Sequence, residues 1–567
     1  MLRLATAFSG IGAIEHALNR MNIDNDIIFA CDNGNIDIFS KKIEVNLDQI
    51  NIELNYLEDT INKIKFSKED NYERQLVMML SSIKTEYNEI VQKLKISRIN
   101  LIEDNVLFML KEINNTSKLT KNRVKIYENL LNSLESEMTS CQKKLLLYQV
   151  ILKIFNDFKR DNPLDYLTNN NTSNLNSAYN IKWENIIESL QRAYSSLEKE
   201  KGKNIIRHVQ TLTKQVSQLY GKINAIRHLN NVKNLENFDE KKEYVDNLYK
   251  GNEKRNKVKI SYMENYKCAS ENYHWDVTFL DGTYYNNKVD LFVGGSPCQS
   301  FSIMGKQHGL SDTRGTLFYE YARLVEEIQP KVFIYENVRA VLTNDCGQTW
   351  EIMKDVFKQL GYNVYYTNED KKPSVLNAKD YGIPQNRKRV FVVGFRSDLK
   401  LEKEFVFPKP LTLKYQMQDF LIENTPYGCF LPEKNVLIKS GKYAIDDESE
   451  NNLDKYFLSE KIKKTVLSGG TKNFYSNPEI DLKIARPLLN TMHKMHRAGE
   501  DNYVTTDGKV RRLTPRECLR LMGFSDNWKI VVSDTAMYQQ AGNSIVVDVL
   551  INIMEEILKS YPDLADN

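Results

Sequence analysis

Short apolar runs alternate with apolar stripes of helical spacing at both ends of the chain, and the stretch between them reads as helix alone. Leu2 to Phe8 has the pattern of a buried strand. Ser9-Gly10-Ile11-Gly12-Ala13 follows, and then a helical segment through Met21 with Ile14, Ala17 and Leu18 on one face. Glycines let a backbone approach a ligand closely, and a helix start offers free N–H groups. A lone Gly-Xaa-Gly is equally well a tight structural turn. A second strand, Ile27 to Ala30, ends at Cys31-Asp32. A carboxylate there can bind ribose hydroxyls, or can simply be a solvated loop aspartate. A further strand, Val289 to Val293, ends in Gly294-Gly295. Downstream, Leu317, Tyr321, Leu324, Val325 and Ile328 form one helical face, with Thr316 or Asp312 as cap. Thr514-Pro515 starts another helix, and Ile545, Val546, Val549, Leu550, Ile553, Met554 and Ile557 make a last apolar stripe. The order predicts an α/β fold.

From about 33 to 273 glycine almost vanishes and Asn, Lys, Glu, Ile and Leu dominate. Leu47, Ile50, Leu54, Leu57, Ile61 and Ile64 step by three and four, as do Val209, Leu212, Val216, Leu219, Ile223 and Ile226. Both read as coiled-coil seams. Asp161-Asn162-Pro163 and the polar run Asn169 to Asn174 interrupt the helices. The simplest construction is an inserted helical coiled-coil arm of antiparallel helices, leaving after the second strand and returning before the third. An inert protrusion, an association arm and a DNA clamp all fit. Because nothing in the segment is selectively basic, self-association or a protein partner is the favoured expectation. It holds no catalytic constellation.

Composition narrows little. Against 78 Lys and Arg stand 75 Asp and Glu, a net charge of +3, so any nucleic-acid surface must be a local patch. The seven cysteines, at 31, 141, 268, 298, 346, 429 and 518, form no Cys-Xaa-Xaa-Cys pair and no cluster with histidine, so no structural metal is expected. Met1-Leu2-Arg3 enters a strand without the pattern of a signal peptide, and no apolar run is long enough to span a bilayer. The expectation is a cytoplasmic protein.

The chemistry is concentrated in Gly294-Gly295-Ser296-Pro297-Cys298-Gln299-Ser300-Phe301-Ser302, which presents a cysteine beyond the carboxyl end of a strand. That is where open α/β sheets place ligands. A free cysteine is most often a small buried hydrophobe, and in other surroundings a nucleophile. Here Glu336-Asn337-Val338 and Gln385-Asn386-Arg387-Lys388-Arg389 follow it, each at the edge of a strand-like run.

The Pro-Cys-Gln, Glu-Asn-Val and Gln-Xaa-Arg-Xaa-Arg motifs in this order resemble those of the cytosine-5 DNA methyltransferase family. The resemblance covers nearly everything outside the insertion. It implies a Rossmann-like S-adenosylmethionine-dependent core (1–32, 274–395 and 509–567), a target-recognition domain over 396–508, and the arm over 33–273. It also implies that the chain extrudes a cytosine from double-stranded DNA and adds Cys298 to carbon 6. Glu336 would then serve ring N3 and Arg389 the carbonyl oxygen, with Gln299, Asn337 and Arg387 in the same motifs, and methyl transfer to carbon 5 would follow. The cofactor would be held by Phe8, Gly10, Ile11, Gly12, Asp32, Asp276, Val277, Pro297, Leu317, Asn543 and Ser544, with Asp276 on the adenine amino group. Ser302, Lys306, Arg314, Lys494 and Arg497 are the candidate DNA contacts, and Arg387 a further phosphate contact. The long insertion departs from the family, and Met304 stands where some members place a small residue. The roles in view are restriction–modification, phage defence and epigenetic marking. A tRNA cytosine-5 methyltransferase and a coiled-coil scaffold with a non-catalytic core remain rivals.

Overall fold

The computed structural model describes residues 1–45, 47–64, 73–92, 180–296, 317–368, 370–433, 436–439, 452–471, 474–475 and 477–565. For 180–206, 431–433, 436–439, 470–471 and 474 it describes the backbone alone. Pro297, Cys298, Gln299, Ser302, Met304, Lys306 and Arg314 lie outside the described residues, as do the helix caps Asp312 and Thr316 and the polar run Asn169 to Asn174.

The core is an eight-stranded sheet ordered β3-β2-β1-β4-β5-β8-β6, with β7 also pairing β8. Its strands are β1 (Leu2–Ala7), β2 (Asn25–Cys31), β3 (Tyr273–His274), β4 (Leu291–Gly294), β5 (Val332–Val338), β6 (Tyr362–Tyr365), β7 (Val375–Asn377) and β8 (Lys388–Arg396). The first five in space, β3 to β5, pair in parallel, and β8 runs antiparallel to β5. Both faces are covered, so the strands read as continuous apolar runs rather than alternating ones. Leu4, Ile27, Leu291, Ile334 and Val393 point into one core cluster, and Ala5, Phe29, Phe292, Phe333 and Val392 into the other.

Helix α1 (Ala13–Arg20) and the last helix, α12 (Val547–Ser560), contribute to the first cluster; α7 (Leu317–Ile328) and α8 (Gln348–Gln359) contribute to the second. α10 (Pro515–Arg520) starts as the sequence suggests: Thr514 caps it, with Glu517 returning the bond in a capping box. Gln540 to Asn543 end a separate helix, α11 (Asp534–Asn543). Ile545 and Val546 fall in the link to α12, so the last helix is shorter than its apolar stripe. Over 396–508 the elements are short: β9 (Phe430–Glu433) with β10 (Val436–Lys439), β11 (Gly470–Thr471) with β12 (Phe474–Tyr475), and α9 (Glu460–Val466). The hairpin β13 (Tyr503–Thr506) and β14 (Lys509–Arg512) then leads back to α10.

The chain divides into two compact units. The first comprises, among described residues, Met1–Ile38 and everything from Ile226 on; the second lies within 39–225. The described helices of the second unit are α2 (Leu47–Lys63), α3 (residues 73–92) and most of α4 (Asn180–Lys233), which continues into the first. In the second unit Ile50, Leu54, Leu57 and Ile61 are buried, and so are Val209, Leu212, Val216, Leu219 and Ile223. The unit also holds a polar knot on the buried Glu53, which Lys41, Gln49 and Tyr220 all hydrogen-bond.

The compositional change near residue 273 and the division at 225 do not coincide. Helices α5 (Phe238–Tyr249) and α6 (Lys257–Asn265) are as rich in Lys and Asn as the preceding arm, yet they belong to the first unit. Aromatic side chains do the packing. Tyr249, Tyr262 and Tyr266 are buried, and the Tyr266 hydroxyl donates to the carbonyl of Gly12 at 2.7 Å.

Candidate active site

In the strand order β2-β1-β4-β5 the chain winds outward in both directions from β1 and β4. Loops leaving their carboxyl ends therefore diverge and open a crevice, the usual ligand position in such sheets. The two strands are in close contact there: a side chain at Gly294 would fall 2.7 Å from the Ala7 carbonyl oxygen.

From β1 the chain enters a turn with three left-handed residues, Phe8 (φ 56), Gly10 (φ 55) and Gly12 (φ 77). Phe8 has no steric licence for this conformation, so the turn carries strain of the kind concentrated at binding sites. Gly12 is glycine for a packing reason, because a Cβ would lie 2.1 Å from the Tyr266 ring. Ile11 is buried and its side chain joins the core, so any role it has toward a ligand is through the main chain.

Asp32, at the end of β2, closes over this turn. Its carboxylate accepts from the N–H of Gly10 at 3.0 Å and of Gly34 at 2.8 Å. Burial raises its pKa, and the charge of Asp276 pushes the same way against those two bonds. Asp276 follows β3, accepts from the Thr278 N–H at 2.9 Å and from the Tyr249 hydroxyl at 3.0 Å. Val277 is buried, and its carbonyl takes the Arg323 guanidinium at 2.8 Å. Leu317, the first residue of α7, packs against the same cluster as Phe8. Two adjacent carboxylates beside a glycine turn form an acceptor set suited to the hydroxyls and amino group of a nucleoside. The residues fit an adenosyl cofactor.

From β4 the chain reaches Gly294-Gly295-Ser296. A Cβ on Gly295 would lie 2.8 Å from the Glu336 carbonyl oxygen and 2.9 Å from its Oε2, so only glycine lets the Glu336 side chain lie across this backbone. Glu336 and Arg389 share one face of the antiparallel pair β5/β8, where Arg389 is opposite Val338 and Phe391 opposite Glu336. Arg389 Nε stands 3.0 Å from Glu336 Oε1. Burial raises the Glu336 pKa despite the opposing pull of Arg389 and Arg387. A carboxyl so placed can be kept neutral and donate a hydrogen bond.

The remaining motif residues act on the frame of the site. Asn337 is buried; its amide donates to the Ser296 carbonyl at 3.2 Å and to the Tyr335 hydroxyl at 2.7 Å, holding the start of the cysteine loop. Arg387, read above as a catalytic or phosphate-binding residue, is buried, and its guanidinium donates to the carbonyls of Leu488, Gly542 and Ser544. Burial first, then the charge of Arg389, pushes its pKa down to about 9. It ties the start of β8 to the recognition segment and to the end of α11, with its donors spent on main-chain carbonyls. Gln385 is likewise buried and bonded to the main chain at Leu488 and Leu521.

Ser544 is buried, whereas Asn543 is exposed. Of the recognition residues, Lys494 is exposed, and Arg497 is half-buried with Nε donating to Ser468 Oγ at 3.2 Å. Tyr249 and Tyr266 escaped the sequence reading. Both lie in a lysine- and asparagine-rich stretch whose composition masks its contacts with the glycine turn and Asp276.

Fold and site together define an α/β protein with two carboxylates beside a glycine turn and a carboxyl–guanidinium pair at the neighbouring strand ends. The model of the C-5 cytosine-specific DNA methylase family matches residues 238–559. The Type II methyltransferase M.SsoII of Shigella sonnei is 34% identical over 306 residues, 52% of this chain and 72% of that protein. M.HhaI of Haemophilus parahaemolyticus is 35% identical over 280 residues, 48% of this chain and 77% of the relative. Among solved structures, the Entamoeba histolytica methyltransferase EhMeth aligns at 17% identity and a TM-score of 0.37, covering 53% of this chain and 86% of that one. The chain belongs to the C-5 cytosine-specific DNA methylase family. It is a DNA cytosine-5 methyltransferase, and S-adenosylmethionine is its methyl donor. When bound, the cofactor supplies an electrophilic methyl group.

Proposed function

We propose that the enzyme methylates a cytosine extruded from double-stranded DNA, with Cys298 as the nucleophile on carbon 6. Carbon 5 of cytosine is a poor nucleophile until carbon 6 is attacked, and a thiolate suits that attack near neutral pH. The negative charge that then develops on the ring is met by Glu336, as a neutral donor to N3, and by Arg389 at the carbonyl oxygen. The observation carrying this reading is the Glu336–Arg389 pair lying across Gly295, three residues before Cys298. The target carbon is inaccessible in a stacked duplex, which is the reason for base extrusion. Phe8, Gly10, Asp32, Asp276 and Leu317 hold the cofactor, joined by Pro297, Asn543 and Ser544. Lys494 and Arg497 meet DNA, as do Ser302, Lys306 and Arg314.

The helical unit within 39–225 is read as an arm for self-association or a protein partner, supported by its division from the core as a separate compact unit and its lack of selective basic character. A restriction–modification role in a bacterial or phage-encoded cytoplasmic protein is supported by the Type II relatives. Among the described residues no helix is long and apolar enough to cross a membrane.

Labelled methyl transfer to duplex DNA, single-stranded DNA and tRNA tests the reading. Duplex cytosine should be labelled by the wild type and not by Cys298→Ser. Transfer to tRNA alone would replace the substrate, and an active Cys298→Ser would remove the nucleophile.

A further inference from the structure

The segment by which the chain returns from its insertion ends in a residue that reaches the cofactor acid. Tyr249 closes α5, is 1% exposed, and donates its hydroxyl to Asp276 Oδ2 at 3.0 Å. Its ring lies face to face with Trp275, centroids 4.9 Å apart and planes within 6°. Lys259 Nζ stands 4.9 Å from the centroid of that same Trp275 ring.

We propose that Tyr249 is a positioning residue of the cofactor site, fixing the Asp276 carboxylate so that it meets the adenosyl end of the methyl donor. This rests on the reading of Asp276 as a cofactor-binding acid. A carboxylate beside a glycine turn can rotate, and its two oxygens are equivalent until something distinguishes them. Here the Thr278 N–H takes Oδ1 and the Tyr249 hydroxyl takes Oδ2, which leaves one orientation. Asp276 also stands near enough to Asp32 to disfavour its charged form, so the pair needs donors. Backbone N–H groups of Gly10, Gly34 and Thr278 supply three of them. Among the described residues Tyr249 is the one side chain donating to either carboxylate. Burial and the nearby acids keep its phenol protonated, so it remains a donor at every working pH. The stack on Trp275 needs only a ring; the hydroxyl is what the acid requires.

Tyr249→Phe keeps the stack and removes the donor. Isothermal titration with S-adenosylhomocysteine, on the full-length protein without DNA, should show affinity reduced about tenfold, the scale of one hydrogen bond to a charged group. The KM for S-adenosylmethionine should rise by a similar factor with kcat little changed. Asp276→Asn separates the two readings. If it leaves S-adenosylhomocysteine binding intact, Asp276 is not a cofactor acid and the underlying reading falls. If it weakens binding while Tyr249→Phe does not, the positioning role alone is overturned. The double variant should bind as Asp276→Asn does, because Tyr249 acts through that acid. A Tyr249→Phe protein that fails to fold, or loses thermal stability with unchanged affinity, marks the bond as structural only and overturns the proposal.

Discussion

Arg389 Nε lies 3.0 Å from Glu336 Oε1, and the carboxylate it contacts rests against Gly295. Three separate motifs therefore converge at one point: the glycine end of β4, the acid of β5 and the arginine in the second position of β8. Burial raises the Glu336 pKa, and Arg389 restrains that rise. The pair is thus suited to an acid that must be protonated while a cation holds its place.

Glu336→Gln should lower methyl transfer by about a hundredfold or more, the usual contribution of a positioned acid, with S-adenosylhomocysteine binding unchanged. In the wild type the neutral carboxyl is the active form. Activity should therefore fall as pH rises through its raised pKa, at a pH above the ordinary carboxylate range. Arg389→Gln removes a group that lowers that pKa, so the residual activity should lose its alkaline limb at a higher pH still. A pH profile of single-turnover rates checks both.

Gly295→Ala tests the close approach. The new methyl would meet the Glu336 carbonyl oxygen at 2.8 Å, a contact the backbone can relieve only by shifting the acid. Single-turnover methylation should drop sharply while cofactor titration stays near the wild-type value.

Arg387→Ala should destabilise the fold by about 2–4 kcal/mol, because three buried carbonyls lose their donor. Denaturant unfolding measures this. The salt dependence of DNA binding should keep its slope, since the buried Arg387 guanidinium is engaged by main-chain carbonyls.

Glu15 gives a pH signature unrelated to catalysis. It is buried in α1, bonded by the hydroxyls of Tyr262 and Thr6, and burial raises its pKa to about 7 from an ordinary 4.5. A raised carboxylate stabilises the fold fully below its unfolded pKa, and that contribution is lost as pH climbs through the folded value. Between pH 4.5 and 7 the loss should be on the order of 3 kcal/mol. Glu15→Gln should flatten this part of the stability curve relative to the wild type in urea unfolding at several pH values.

Much of this site is legible in the sequence because its residues sit where local patterns change. Phe8 to Gly12 follows an apolar run, Glu336 ends another, and Thr514-Pro515 marks a helix start with its own capping chemistry. Contacts made across long sequence separations are silent in the sequence. Tyr266 fits into the space left by Gly12, and Tyr249 reaches Asp276 from a helix whose composition matches the arm before it. Arg387 misleads for a related reason. An arginine in a basic run suggests a surface, and only the fold shows three carbonyls enclosing it. The left-handed turn at Phe8 is equally invisible, since nothing in a phenylalanine announces it.

The most direct test of the central claim is covalent trapping on a duplex carrying 5-fluorocytosine at candidate sites, with S-adenosylmethionine present. Once the thiolate has added to carbon 6 and the methyl has reached carbon 5, fluorine cannot leave as a proton does, so the thiolate cannot be eliminated. Mass spectrometry should find the adduct on the peptide containing Cys298, and none with Cys298→Ser. A folded, cofactor-binding protein that methylates duplex cytosine yet forms no adduct, or forms one on another residue, would contradict the account.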